Sequence, residues 1–210
     1  MKTETQRSKF ITLFALIISG EMIFSLPFHL TRYFRPTILE TFNLTNAELG
    51  DAFAVYGITA MLSYFPGGLL ADRYPIRVLM AGSLFATGLG GLYLLTIPSG
   101  LNLSLLYGYW GITSILFFWA ALIKATRQWG GIFSQGKAFG FLDGGRGLAA
   151  ASFAIVIVWI FSTLLPENKD LISNSDRLFA LKTAIIYYVF ITILAGFVVW
   201  FVLPKERFFK

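Results

Sequence analysis

The stretch 67–77, GGLLADRYPIR, is a short charged segment that separates two long apolar runs. The run before it covers Ala52–Leu70 and the run after it covers Val78–Ile97, and neither contains a charged residue. A helix needs about 20 consecutive, mostly apolar residues to cross the hydrocarbon core of a bilayer. Both runs are long enough, so the charged segment is predicted to be a hairpin between two membrane-spanning helices.

The rest of the chain has the same character. Of its 210 residues, 56% are hydrophobic and only 13% are charged, whereas soluble domains carry about 25% charged residues. The sequence predicts an all-α membrane protein in which residues 10–203 form one bundle of six transmembrane helices. Residues 1–9 are then an N-terminal segment, and residues 204–210 are a tail or the start of a linker. The six predicted spans are Phe10–Leu30, Ala52–Leu70, Val78–Ile97, Leu103–Ile123, Gly147–Leu165 and Ala184–Leu203.

Polar residues between the runs predict where helices begin and end. Thr45 and Glu48 have the spacing of a capping box, which favours the start of the second helix at this point. Pro98-Ser99-Gly100 predicts a tight turn, and residues 166–178 predict the longest polar loop. Pro204 is expected to end the last helix.

Basic residues predict the orientation of the bundle, because short loops rich in Lys and Arg tend to stay in the cytoplasm. With the N-terminus inside, the inner segments hold eleven Lys and Arg residues and the outer segments hold five. Both termini and the 67–77 hairpin are therefore predicted to be cytoplasmic. This topology also accounts for the net charge of +6 without nucleic acid as a partner.

The amino-acid content excludes several chemistries. The chain has no cysteine and a single histidine, so neither a thiolate nor a histidine-rich metal site is expected. A serine protease in the membrane requires a serine paired with a histidine base; His29 is the only candidate base, and no G-x-S-x-G elbow occurs. We predict no enzyme, no metal and no cofactor.

In the position predicted for it, the hairpin resembles the cytoplasmic loop between helices 2 and 3 of the major facilitator superfamily, G-x-x-x-D-R-x-G-R-[RK]. Gly68, Asp72, Arg73 and Arg77 match that pattern, whereas Pro75 and Ile76 stand where the family has glycine and arginine. The resemblance implies a six-helix half of a transporter, with the loop acting as a conformational latch. In the family the aspartate lies near a basic residue of helix 4, which implies Arg127 as its partner here.

A closer resemblance covers most of the chain. Residues 30–53 and 72–84 resemble the organophosphate:phosphate antiporter branch, in which an arginine ends helix 1. Residues 121–131 and 135–148 resemble uncharacterised bacterial inner-membrane transporters near that branch. The resemblance implies an inner-membrane location and an anionic solute.

Ionisable residues at membrane depth are costly, so they usually face a cavity or a partner. Glu21 and Arg32 are eleven residues apart, which places them on one face of a straight helix, although Pro27 between them favours a bend. Asp143 and Arg146 are three apart and share a helix side, where they either neutralise each other or form an anion site. Arg32 either binds solute or extends to the outer interface. Glu21 and His29 are candidates for carrying a coupling proton.

Together these features predict a secondary active transporter of a small polar, anionic organic solute. Its expected partners are that solute, a coupling ion (a proton or a counter-anion), the lipid bilayer and a second six-helix half. That half is either a C-terminal continuation or another copy, because substrate sites of such transporters lie between two repeats. The alternative is a six-helix membrane scaffold or sensor that transports nothing.

Overall fold

The computed structural model of the protein describes residues 6–168 and 171–205, and the regular structure in this part of the chain is helical. The predicted segments 1–9 and 204–210 extend beyond it, because residues 1–5 and 206–210 lie outside the described residues. Four cations that entered the prediction of orientation also lie outside them, namely Lys2, Lys169, Arg207 and Lys210. The helices are α1 (Gln6–Met22), a first π-helical segment (Ser25–His29), α2 (Leu30–Tyr33), α3 (Arg35–Phe42), α4 (Asn46–Arg73), α5 (Ile76–Leu94), α6 (Leu101–Gly111), a second π-helical segment (Ile112–Trp119), α7 (Ala120–Gly130), α8 (Gln135–Thr163) and α9 (Asn174–Val202).

Five of the described helices are long and apolar enough to cross a membrane, and a bent pair adds a sixth crossing if it counts as one span. The predicted all-α membrane fold is thereby confirmed. We number the crossings in chain order as span 1 (Ser8–Met22 with Ser25–Tyr33), span 2 (Asn46–Arg73), span 3 (Ile76–Leu94), span 4 (Leu101–Gly130), span 5 (Gln135–Thr163) and span 6 (Asn174–Val202).

Span 1 bends by 42° between its two parts. Pro27 lacks a backbone N–H and cannot donate within a helix, and it lies inside the first π-helical segment. There the amide of His29 donates to the carbonyl oxygen of Phe24, five residues earlier, at 3.4 Å. As a result, the second part of span 1 (Ser25–Tyr33) runs in a different direction from the first part (Ser8–Met22).

Two capping boxes begin long helices. The predicted box at Thr45 is confirmed: its hydroxyl accepts from the Glu48 amide at 3.2 Å, and the Glu48 carboxylate accepts from the Thr45 amide at 2.7 Å. Ser173 and Asp176 form a second box, which the sequence pattern did not lead us to expect. Since α9 starts directly after Ser173, the predicted loop 166–178 is too long.

The predicted starts of spans 5 and 6 are wrong in the same direction. Span 5 begins at Gln135 rather than Gly147, and span 6 begins at Asn174 rather than Ala184. Hydropathy marks only the apolar middle of a helix, whereas backbone hydrogen bonds continue through polar turns at its ends. Asp143 and Arg146 therefore lie within α8 rather than at its start.

Small residues let the spans approach closely. Span 3 packs along span 6, where a Cβ on Gly88 would lie 2.7 Å from Ile193 and one on Gly196 would lie 2.7 Å from Phe85. Span 2 packs on span 4, and α1 contacts both α8 and α9. Helices in a bilayer associate by this kind of close packing, because lipid supplies no hydrophobic drive between them. The contacts of α1 with α8 hold span 1 against span 5.

Candidate functional site

Four of the five residues predicted to bind solute or coupling ion line one cavity of about 510 Å³. They are Glu21 and Arg32 of span 1 and Asp143 and Arg146 of span 5, and the remaining wall contains Tyr33 and small residues of α8. Two carboxylates and two guanidinium groups therefore face one space between spans 1 and 5. The fifth residue, His29, lies behind Glu21.

Glu21 is the centre of the ionic cluster. Its carboxylate is 9% exposed; Oε1 lies 2.9 Å from His29 Nε2, and Oε2 accepts from Arg146 Nε at 3.1 Å. A buried carboxylate requires such partners, because an unpaired charge in a low-dielectric interior is costly. Span 1 and span 5 are thus joined by an ion pair between Glu21 and Arg146.

Arg146 is shared between two acids. In addition to Glu21, its Nη1 lies 3.5 Å from Asp143 Oδ1, one helical turn away. The Asp143 carboxylate is 70% exposed, whereas the Arg146 side chain is 19% exposed. The exposed pair contributes little to stability. Asp143 and Glu21 instead restrain the guanidinium group from two sides.

Arg32 lies in the same cavity without an acid. Its side chain is exposed, and its guanidinium carbon lies 5.9 Å from the centre of the Tyr33 ring. Within residues 6–168 and 171–205 it has no ion-pair partner, which differs from the arrangement at Arg146. The cavity thus contains one restrained guanidinium group and one that is not paired.

Two aromatic rings flank Arg146, and neither was predicted from the sequence to belong to the site. The guanidinium carbon lies 5.7 Å from the ring centre of Phe24 and 5.6 Å from that of Trp119. Trp119 belongs to span 4, where an aromatic residue is usually interpreted as a packing or interface residue. Its proximity to the cation could not be inferred from spacing, because the two residues are on different helices. Cations over aromatic faces gain electrostatic stabilisation.

At the end of the bundle that is predicted to be cytoplasmic, Asp72 contacts a different residue from the one that the family resemblance implied. Lys124 Nζ lies 2.9 Å from Asp72 Oδ1 and also donates to the carbonyl oxygen of Ala71 at 2.9 Å. The contact with Arg127 that the resemblance implied is not formed in the described part of the chain: Asp72 pairs instead with Lys124, three residues earlier on α7. A second cavity, of about 400 Å³, lies at this contact. Arg127 lines it together with Gly68, Asp72 and Lys124.

The other hairpin residues have different surroundings. Arg77 lies over the Trp200 ring at 4.3 Å and donates to the Trp200 carbonyl oxygen at 3.2 Å, so it joins span 3 to the end of span 6. Arg73 is exposed. Of the two glycines that open the 67–77 segment, only Gly67 lies against another helix. A Cβ there would lie 2.9 Å from the Leu116 carbonyl oxygen, whereas Gly68 has open space.

Comparison with known proteins is consistent with this architecture. The family model for the Major Facilitator Superfamily matches residues 10–209. The chain is 31% identical to the inner membrane protein YqcE of Escherichia coli over 92% of its length and 43% of that protein. It is 32% identical to the inner membrane protein YihN of Escherichia coli, over 93% of its length and 44% of that protein.

A more distant relative is an uncharacterized protein of Mycoplasma pneumoniae, the MG294 homolog, at 27% identity over 98% of the chain and 46% of that protein. No solved structure matches the chain significantly. The chain spans less than half the length of these curated relatives.

The match to the family model covers most of the chain and agrees with the helical, multi-pass architecture. The two Escherichia coli relatives are named as inner membrane proteins. Members of the matched family are membrane transporters rather than enzymes. The chain belongs to the Major Facilitator Superfamily.

Proposed function

We propose that the chain is the N-terminal six-helix half of a secondary active transporter that moves a small anionic organic solute across the bacterial inner membrane by alternating access. The observation that supports this proposal is the pair of guanidinium groups in the span 1–span 5 cavity. Arg146 is restrained by Glu21 and Asp143, and Arg32 is unpaired within the described part of the chain.

The chemistry of these two side chains favours an anion. A guanidinium group offers a planar set of N–H donors that matches the two oxygens of a carboxylate or phosphate. Restraint of Arg146 by two acids and two rings reduces the entropy that is lost when it orients toward a ligand. Arg32 adds a second cation on the opposite wall. A solute with an acidic group and a polar body fits such a cavity.

The solute site requires a second half. Transporters of this architecture hold substrate near the bilayer midplane between two repeats. The relatives are more than twice as long as the segment that matches this chain. Of the five long apolar helices, spans 2 and 5 bury the smallest share of their residues against the rest of the bundle. In their most apolar 18-residue segments, 22% and 17% of the residues are buried. We place the second six-helix half across the cavity, with both termini of the chain in the cytoplasm.

Binding of matched solute pairs tests this function. We expect gluconate or glycerol 3-phosphate to raise the melting temperature of the purified full-length protein. The neutral analogues sorbitol and glycerol lack the acidic group, and we expect no shift with them; sorbitol also keeps the six-carbon chain of gluconate. Equal shifts from the neutral analogues would contradict the anion site. The absence of both binding and uptake into proteoliposomes for every anion tested would favour the scaffold or sensor.

We also propose that the hairpin acts as the cytoplasmic latch of the transporter, with Asp72 and Lys124 as its contact inside this half. The side chains are 78% and 34% exposed, so solvent and salt screen the pair, and its net contribution is about 1 kcal/mol or less. An energy of this size is enough to shift an equilibrium between two conformations several-fold. It is too small to determine whether the protein folds.

Asp72→Asn and Lys124→Gln are therefore expected to change the ratio of inward- to outward-facing states by similar amounts, without a measurable change in melting temperature. The measurement is cross-linking across the cytoplasmic cleft of the full-length protein. Arg127→Gln is the matched control, since Arg127 lines the same cavity but does not contact Asp72. A larger effect of Arg127→Gln than of Lys124→Gln would restore Arg127 as the partner of Asp72.

A further inference from the structure

His29 is the only histidine of the chain, and it occupies an unusual position. It is 8% exposed and lies in the first π-helical segment of span 1. Its Nε2 contacts Glu21 Oε1 at 2.9 Å, whereas its buried Nδ1 has no hydrogen-bond partner among the described residues. Buried polar atoms are nearly always partnered, so an exception of this kind requires an explanation.

The surroundings of His29 contain few titratable groups. Glu21 faces it from α1, Tyr33 follows it on α2 with the two rings 6.1 Å apart, and Tyr188 faces it from α9 at 6.4 Å. Arg146 of α8 reaches it only through Glu21. The hydroxyl group of Tyr188 is also buried without a partner among the described residues. Two neighbouring side chains thus hold unused polar atoms directly behind the cavity.

We propose that His29 is the proton-binding site of the transporter and that its protonation prepares the cavity for an anion. This inference rests on the proposed function, and it selects the proton over the counter-anion as coupling ion. The proton binds at Nδ1, which has no partner in the described part of the chain, while Nε2–H stays directed at Glu21. The oxygens of Glu21 already have contacts, one with His29 and the other with Arg146.

Protonation of His29 changes the net charge of the ionic cluster in the direction that favours an anion. With His29 neutral, the two negative charges of Glu21 and Asp143 balance the two positive charges of Arg32 and Arg146. One proton on His29 makes the cluster singly positive, which matches a monoanion. The imidazolium also attracts Glu21, so that Arg146, still oriented by its neighbours, has more of its positive charge available to the solute. Proton and anion therefore bind together.

Coupling of this kind is reciprocal, so anion binding must draw a proton from the solution. We expect gluconate binding to the full-length protein to be accompanied by net proton uptake near neutral pH, averaging about half a proton per anion between pH 6 and pH 8. Calorimetry in two buffers of different ionisation enthalpy measures that uptake. Affinity for gluconate is expected to fall about tenfold from pH 6 to pH 8, within the usual range of coupling between sites.

His29→Gln is the decisive variant, because the glutamine amide keeps an N–H donor for Glu21 but cannot take up a proton. We expect it to bind gluconate without proton uptake and with an affinity that does not change with pH. Thr31→Ala is the control; Thr31 is buried in the same part of span 1, and its hydroxyl bonds with nearby backbone carbonyls and with Tyr107, none of which belongs to the ionic cluster. It is expected to behave like the unmodified protein.

Two results would overturn the inference while the proposed function survives. One is gluconate binding without proton uptake by the unmodified protein. The other is uptake that persists in His29→Gln, which would assign the proton to Glu21 or another group. If the unmodified protein binds neither gluconate nor glycerol 3-phosphate at any pH, the proposed function fails and this inference fails with it.

Discussion

Arg146→Gln is expected to reduce affinity for the anionic solute by at least about 100-fold. Each hydrogen bond to a charged group contributes about 1.5–3 kcal/mol, and the guanidinium group supplies two of them to a bound carboxylate or phosphate. Arg146→Lys keeps the charge but loses the planar pair of donors, so a loss of about tenfold is expected. Calorimetric titration of the full-length protein with gluconate measures both.

Arg146→Gln also affects folding, because it leaves the Glu21 carboxylate, 9% exposed, with His29 as its remaining polar partner. Removing one partner of a buried ion pair costs about 3–5 kcal/mol. Since the Arg146 side chain is 19% exposed, we expect a value near 3 kcal/mol.

The double variant Glu21→Gln/Arg146→Gln separates the two effects, since neither side chain is then charged. It is expected to regain most of the melting temperature but none of the affinity for gluconate. Full binding by the double variant would show that Arg146 only neutralises Glu21. The cavity would then hold its solute by other groups.

Gly111→Ala is expected to destabilise the fold by forcing span 2 and span 4 apart. A Cβ at this position would collide with the Thr59 hydroxyl group and lie 2.6 Å from the carbonyl oxygen of Tyr56, both on span 2. Because the Tyr56 oxygen and the nearby Ala60 amide are backbone atoms, span 2 has to move away from span 4. Overpacking costs about 1–3 kcal/mol, and more where backbone is displaced.

The gain in helix propensity from glycine to alanine, about 1 kcal/mol, does not offset this collision. We expect a decrease in melting temperature on the order of 5 °C. Gly82→Ala is the matched control, since Gly82 lies in the middle of α5 with nothing within 4 Å of an added Cβ. It should leave the melting temperature unchanged or slightly higher. Similar decreases in both variants would mean that spans 2 and 4 are not in close contact at Gly111.

The start of span 5 shows most clearly which features the sequence predicts and which only the tertiary structure decides. Long apolar runs identified six membrane segments, because crossing a hydrocarbon core requires every backbone group to be bonded within a helix. The start of α8 at Gln135 was not visible in hydropathy, since its first turns are polar but still helical. As a result, the sequence placed Asp143 and Arg146 near a helix start, whereas both line a cavity within the bundle.

The ionic cluster shows what local spacing can and cannot establish. Three-residue spacing was enough to bring Asp143 and Arg146 together, because it corresponds to almost one turn of a helix. The contact of Arg146 with Glu21 joins residues 125 positions apart, and no periodicity encodes it. The same holds for Lys124 and Asp72, where the family resemblance indicated the helix but not the residue.

By itself, the sequence determined the class of protein, the approximate positions of the spans and the residue types available for an anion site. These properties follow from hydropathy, helical period and the cost of charge in a membrane, all of which act locally along the chain. Tertiary structure alone decided that Glu21 lies between His29 and Arg146, that Trp119 flanks the cation and that Lys124 meets Asp72. Those contacts depend on how glycine-lined helices pack against one another, which is a property of several helices together.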